Sequence, residues 1–345
     1  MAYTILGELG RGAYGSVYKI ERDGSLFALK ERSYPSSLIA PHDFLREVAV
    51  TMNARHPNIV RAYQIIFDTE QRRVSTSFEL GTLTLTQWMR QPRTFDEKLS
   101  VTFQLLCGLQ FLHAAGLIHG DLKPDNILLF KDGSTKIADF GLCVRNGGQP
   151  LSFNVQTILW RAPEVLSGIA YTHSIDIWSL GVVLYQLFGG ELLFTETDPA
   201  ELLASQYSTC PLDLQMKGVN DVMSLVMGCL VLDPTKRLTA SDALKCPIFK
   251  NWIQPVGYWV ELEIQTPSDH KIIHDTLLGA APGTIKLACE LVERSSVHDS
   301  EEMVACCAIA AALLQNVTLD LSLGAKNKVK MICERLQYCF YSGLG

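Results

Sequence analysis

One octapeptide restricts this chain more than any other stretch: His119-Gly120-Asp121-Leu122-Lys123-Pro124-Asp125-Asn126, a polar loop with apolar runs on both sides. Apolar flanks pin such a loop to buried structure, so its side chains keep fixed positions. Asp121 is then a carboxylate held where a hydroxyl could give up its proton. Lys123 and Asn126, at fixed offsets downstream, are placed to hold a phosphate and a metal ion. Alone, a His-x-Asp followed by an Asn also fits an ordinary surface turn, and the rest of the chain has to decide.

The 345 residues leave room for two or three domains at about 150 residues each. With 48% apolar and 19% charged residues the chain reads as globular. A formal charge of -6 gives no general attraction to polyanions, so neither nucleic acid nor a membrane surface is expected as a partner. The ten cysteines form no C-x-x-C pairs and read as free core thiols in a reducing, intracellular compartment. The first residues lack a basic segment and apolar core, so no signal peptide is expected, and the apolar runs at 177–188 and 304–314 are shorter than the roughly 18 residues needed to span a bilayer.

Residues 3–20 form two apolar stretches separated by Gly10, Gly12 and Gly15. Dinucleotide-binding folds use the same G-x-G-x-x-G between a strand and a helix, but here residues 16–21 alternate and include β-branched side chains, which predicts a hairpin. A strand follows, ending at Lys30, which in isolation would be a solvated surface charge. Residues 42–54 read as a helix carrying Glu47, 74–80 as a strand running into a linker, and 81–89 as the start of a second lobe. Thr94 to Glu97 fits a capping box, and Leu99, Phe103, Leu106, Leu109 and Phe111 continue a helix that Gly116 closes. His113 reads as core. Short strands at 127–130 and 135–138 flank Asp132-Gly133, a hairpin turn, and deliver Asp139-Phe140-Gly141. Residues 142–156 show no periodicity. Ala162-Pro163-Glu164 comes next, then an almost wholly apolar, hence buried, helix from Ser174 to Gly189.

In this order and spacing, over residues 4 to about 253, these motifs resemble those of the eukaryotic protein kinases: the glycine flap, Leu26-Phe27-Ala28-Leu29-Lys30 for V-A-I-K, the catalytic loop, D-F-G and A-P-E. The resemblance implies an α+β, two-lobed fold, with a β-rich lobe at about 1–80 and a helical lobe at about 81–253. It implies ATP and Mg²⁺ as cofactors and a protein as substrate. Leu9, Val17, Ala28 and Leu128 would sandwich the adenine, with Glu79 and Leu80 offering backbone groups to its edge and Phe78 behind it. Gly10, Gly12 and Gly15 would approach the phosphates, with Lys30 on them and held by Glu47. Asn126 and Asp139 would hold Mg²⁺, Asp121 would accept the hydroxyl proton, Lys123 would meet the γ-phosphate, and Thr157 would brace both. Asp176 would hold the loop backbone and Arg237 would pair with Glu164.

Lys123 in its D-L-K-P-x-N context points to Ser or Thr as acceptor. Arg46-Glu47, Thr157 and Arg161 resemble the cyclin-dependent group, from which the short 194–233 segment, Trp160 and Gly120 depart. Gly120 stands where an Arg usually reads a phosphate, so activity is expected not to depend on phosphorylation at Ser152. Tyr14 in the flap reads as a covering ring or an inhibitory phosphosite. Residues 254–345 carry four helical runs; a small-residue central helix at 301–315 resembles a cyclin box, and the plainer reading is an extension packed on the kinase. A pseudokinase scaffold and a metabolite kinase are the alternatives, although no residue the chemistry needs is missing.

Overall fold

The computed structural model describes residues 3–12, 15–33, 54–68, 73–145, 156–210 and 220–250. Tyr14, Arg46, Glu47, Ser152 and the whole 254–345 extension lie outside the described residues. The chain separates into two compact units; among the described residues the first ends at Leu80 and the second resumes at Gly81.

The first unit is a five-stranded antiparallel sheet in the order β1-β2-β3-β5-β4: β1 Thr4–Gly12, β2 Gly15–Arg22, β3 Ser25–Ser33, β4 Ala62–Asp68 and β5 Arg73–Glu79. Asp23 and Gly24, with φ of 51° and 73°, close the β2/β3 hairpin, because a two-residue loop matches the strand twist only when both residues are left-handed. The ladder puts Val17 opposite Lys30 and Lys30 opposite Thr76, so these three share a sheet face, which Ala28 and Phe78 continue. The opposite face carries Ile20, Leu29 and Ser77, all buried.

The second unit is built on helices. α1, Leu85–Trp88, follows the short strand β6, Leu83–Thr84, and leads to α2, Phe95–Ala114. Thr94 opens α2 as the expected capping box: its hydroxyl accepts the Glu97 N–H at 3.2 Å and Glu97 accepts the Thr94 N–H at 2.8 Å. Gly116 at φ 69° ends it, donating to the His113 carbonyl. β7 (Leu117–Ile118) pairs with β10 (Val144–Arg145), whereas β8 (Ile127–Leu129) pairs with β9 (Thr135–Ile137) across the expected Asp132-Gly133 turn. Within the stretch read as lacking regular structure, residues 144 and 145 are therefore a strand. The later helices are α3 (Pro163–Leu166), α4 (Ser174–Gly189), α5 (Pro199–Thr209), α6 (Asn220–Cys229) and α7 (Ala240–Ala243). α4 is buried along most of its length and lies close to α6: a Cβ on Gly181 would stand 2.8 Å from Cys229 and Leu230.

Residues 55–60 belong to this helical unit. Asn58 donates to Gln104 of α2 at 3.0 Å and to the Thr135 carbonyl at 2.9 Å, and Val60 donates to the Ile137 carbonyl. Gly108 permits the approach, since a Cβ there would meet the Asn58 carbonyl at 3.0 Å. His56 stacks on Phe111 with ring centroids 4.8 Å apart, and burial pushes its pKa down to about 4. The unfolded chain therefore binds a proton near pH 6.5 that the folded chain resists until about 4. Stability is expected to be full above that window and to fall as pH drops through it, by up to about 1.4 kcal/mol per pH unit. Urea titrations from pH 7 to 4.5 on wild type and His56→Gln check this; equal slopes would refute it.

Among the described residues no helix is long and apolar enough to cross a membrane. Cys107, Cys143, Cys210, Cys229 and Cys246 are free, and burial pushes the Cys229 thiol up to about 12, so it packs as an apolar side chain.

Candidate active site

The 119–126 loop is fixed from beneath by a buried carboxylate. Asp176, on the first turn of α4, accepts the His119 N–H at 2.8 Å on Oδ2 and the Gly120 N–H at 2.9 Å on Oδ1. Full burial works to raise its pKa; the hydrogen bond and charge of His113, with the charge of His119 and the Gly120 N–H, outweigh it and hold the carboxyl below the usual range. His113, read from the sequence as core, thus has a specific partner, with Nε2 2.9 Å from Asp176 Oδ2. His119 Nδ1 accepts the Asp121 N–H at 3.2 Å, and Nε2 donates to the Ala138 carbonyl at 3.0 Å.

Gly120 has φ 76°. Its place in the loop is a left-handed turn that a side chain would strain, so glycine fits here for the backbone's sake as well as removing a cation.

Four of the expected site residues meet in one cluster. Asp121 Oδ1 accepts both the N–H and the hydroxyl of Thr157 at 2.8 Å. Its Oδ2 accepts from Lys123 Nζ at 2.6 Å and from Asn126 Nδ2 at 3.0 Å. Lys123 Nζ also donates to Thr157 Oγ1 at 2.7 Å, and Asn126 Nδ2 to the Asp121 carbonyl at 2.8 Å. Donors from two segments, with Lys123 and Thr157 34 residues apart, therefore converge on one carboxylate, leaving it oriented and partly withdrawn from water. Asp139 is carried to the same place: Ala138 donates to the Asn126 carbonyl at 2.8 Å, and Asp139 follows at φ 63°, a left-handed conformation that Asp tolerates. No group of three or more His, Cys, Asp or Glu that could hold a metal lies among the described residues.

Sequence reasoning missed Gln156. It is buried with φ 65°, and its side chain bonds to three separate backbone or hydroxyl groups. A glutamine in a polar stretch carries no local signal of this.

The protein kinase domain family matches residues 3–249 of this chain. The chain belongs to that family. Mitogen-activated protein kinase 12 of Mus musculus and its Homo sapiens counterpart are each 31% identical to it over 290 residues, covering 72% of this chain and 78% of the relative. The five-stranded sheet is the β-rich part of the kinase domain, and the helical unit carries the 119–126 loop.

The remaining residues expected at the site fall as follows. In the sheet, Leu9 lies at a register shift of β1 and is 52% exposed, while Val17, Ala28 and Lys30 share one face. Gly12 faces Gly15 across the β1/β2 hairpin. Gly15 is required for a packing reason that spacing did not reveal: at φ 129° a Cβ would stand 2.1 Å from the Glu31 carbonyl. A Cβ on Gly10 or Gly12 would meet nothing within 4 Å. The backbone N–H of Glu79 donates to the Arg61 carbonyl, and its carboxylate accepts the Arg61 N–H at 2.8 Å; Leu80 follows at the end of the unit. In the helical unit Leu128 of β8 touches Gly81, where a Cβ would come within 3.1 Å of it. Glu47 is outside the described residues.

Proposed function

We propose that this chain is an intracellular Ser/Thr protein kinase that transfers the γ-phosphoryl group of ATP to a hydroxyl on a protein. The observation that carries the reading is the Asp121 carboxylate, aligned by Thr157, Lys123 and Asn126. The residues present fit the cofactor. Gly10 and Gly12 leave space beside the backbone where phosphates can approach, and Lys30 stands on the same sheet face as Val17 and Ala28. Asn126 spends its amide nitrogen on Asp121, so its Oδ1 and the Asp139 carboxylate are the two protein oxygens for a hard cation that brings water and phosphate ligands of its own.

Bound ATP-Mg²⁺ supplies the phosphoryl group and much of the charge neutralisation. Lys30, with Glu47 as its partner, would hold the α- and β-phosphates. Asp121 would orient the acceptor hydroxyl and take its proton as the hydroxyl oxygen bonds to the γ-phosphorus and the bond to the β-phosphate breaks, so that ADP leaves; Lys123 would meet the γ-phosphate. The family resemblance assigns the base to Leu9, Val17, Ala28, Glu79 and Leu80 of the sheet unit and to Leu128 of the helical unit. Thr157 keeps Asp121 from rotating. The positioned charges account for most of the catalysis such a site can provide. Residues 254–345, read from pattern alone, are proposed as a helical, cyclin-like contact acting in cis.

Incubation with labelled ATP and Mg²⁺, using a generic basic protein as acceptor, is expected to place label on Ser or Thr. Retained ATP binding with no transfer, even in the presence of added activators, would make the chain a nucleotide-binding scaffold instead.

A further inference from the structure

The Thr157 N–H and hydroxyl can both reach Asp121 only because the chain bends sharply one residue earlier. In an extended chain successive N–H groups point to opposite sides; at Gln156, with φ 65°, the N–H donates to the Gly120 carbonyl at 2.9 Å and the next N–H, that of Thr157, to Asp121 Oδ1 at 2.8 Å. Both grip the catalytic loop. A residue with a side chain rarely adopts this conformation unless its surroundings impose it.

Here the side chain itself supplies the restraint. Gln156 Nε2 donates to the Ile175 carbonyl at 3.0 Å and to Ser179 Oγ at 2.7 Å, two groups one turn apart on α4, while Oε1 accepts the Ala162 N–H at 2.9 Å. Ser179 in turn donates to the Trp160 carbonyl at 2.8 Å, and the Gln156 carbonyl accepts from Arg161 Nη2 at 2.8 Å. The residue is 3% exposed. A buried amide with its donors and acceptor all used is fixed in orientation, and it ties the bend to the same helix whose Asp176 holds the loop.

We propose that Gln156 is a positioning residue for phosphoryl transfer: its amide, clamped to Ile175, Ser179 and Ala162, imposes the left-handed bend that seats Thr157 on Asp121. It touches neither reactant. The proposal rests on the kinase reading for its kinetic consequence but not for its structural one.

Gln156→Met keeps the volume and removes all three side-chain bonds. Transfer in single turnover is expected to slow roughly 10- to 100-fold, with ATP affinity within about threefold of wild type. In a Thr157→Ala background, which keeps the backbone N–H but loses the hydroxyl, the same change should cost less than in wild type, because part of the Gln156 effect passes through that hydroxyl. Exchange of the Thr157 amide with deuterium, followed by NMR, should speed up at least tenfold in Gln156→Met; this readout needs no activity. Should wild type transfer no phosphate, the functional reading fails while amide protection still decides the bend. Should Gln156→Met not fold, Ser179→Ala removes one of the three bonds and is expected to shift exchange and rate in the same direction by a smaller factor. Unchanged Thr157 protection, or a full and additive loss in the Thr157→Ala background, would overturn the proposal.

Discussion

On the proposed role of Asp121, Asp121→Asn is expected to lower phosphoryl transfer by on the order of 10²- to 10⁴-fold, the range for removing a general base that also orients its substrate. The shape is nearly unchanged, but the hydrogen bonding is not. Both Asp121 oxygens accept only from donors: the Thr157 N–H and hydroxyl on one side, Lys123 and Asn126 on the other. An amide must turn its NH₂ toward one of these pairs, so the variant loses both the base and part of its alignment. Nucleotide affinity, set by other residues, should change by less than about threefold. Single-turnover transfer and a fluorescent-nucleotide titration on the same preparation test the two halves together. A variant retaining a tenth of the wild-type rate would remove Asp121 from its proposed role.

Arg237→Met is the substitution expected to cost most stability. The guanidinium is buried, with Nη1 2.6 Å from Glu164 Oε1 and Nη2 3.1 Å from Oε2, and it donates further to the Ser174 and Val231 carbonyls. Its plane also lies 5.2 Å from the Trp178 ring. Removing the cation strands the Glu164 carboxylate, itself 5% exposed, which costs about 3–5 kcal/mol. For a domain of this size that is about 6–20 °C in melting temperature. Pairing the change with Glu164→Gln should recover part of the loss, because an amide is cheaper to bury unpaired than a carboxylate. Urea denaturation of the two single variants and the double one measures this; a loss below about 1 kcal/mol for Arg237→Met would show that the site rehydrates.

The two predictions depend on the sequence to different degrees. Asp121, Lys123 and Asn126 stand within six residues of one another, and Thr94 and Glu97 within four, so their geometry follows from short-range spacing. The same holds for the Asp132-Gly133 turn and the glycine hairpin. Pairings across greater separations needed an outside comparison. Arg237 and Glu164 are 73 residues apart and Asp176 and His119 are 57 apart, and those contacts were expected only because a family resemblance supplied them.

What the sequence determined by itself is the set of local decisions: where helices start and stop, which strands form hairpins, and which polar loop stands between buried runs. These follow from φ preferences, capping hydrogen bonds and apolar periodicity, all of which act over a few residues. Only the tertiary structure decided why Gly15 and Gly108 must lack a Cβ, why Gly120 suits a left-handed turn, that His113 bonds Asp176, and that Gln156 bonds α4. In each case the deciding group is a carbonyl, carboxylate or helix face far along the chain, or a backbone angle that such groups impose. A hydrogen bond or a steric clash exists only once both partners are in place, so no pattern around either residue can announce it.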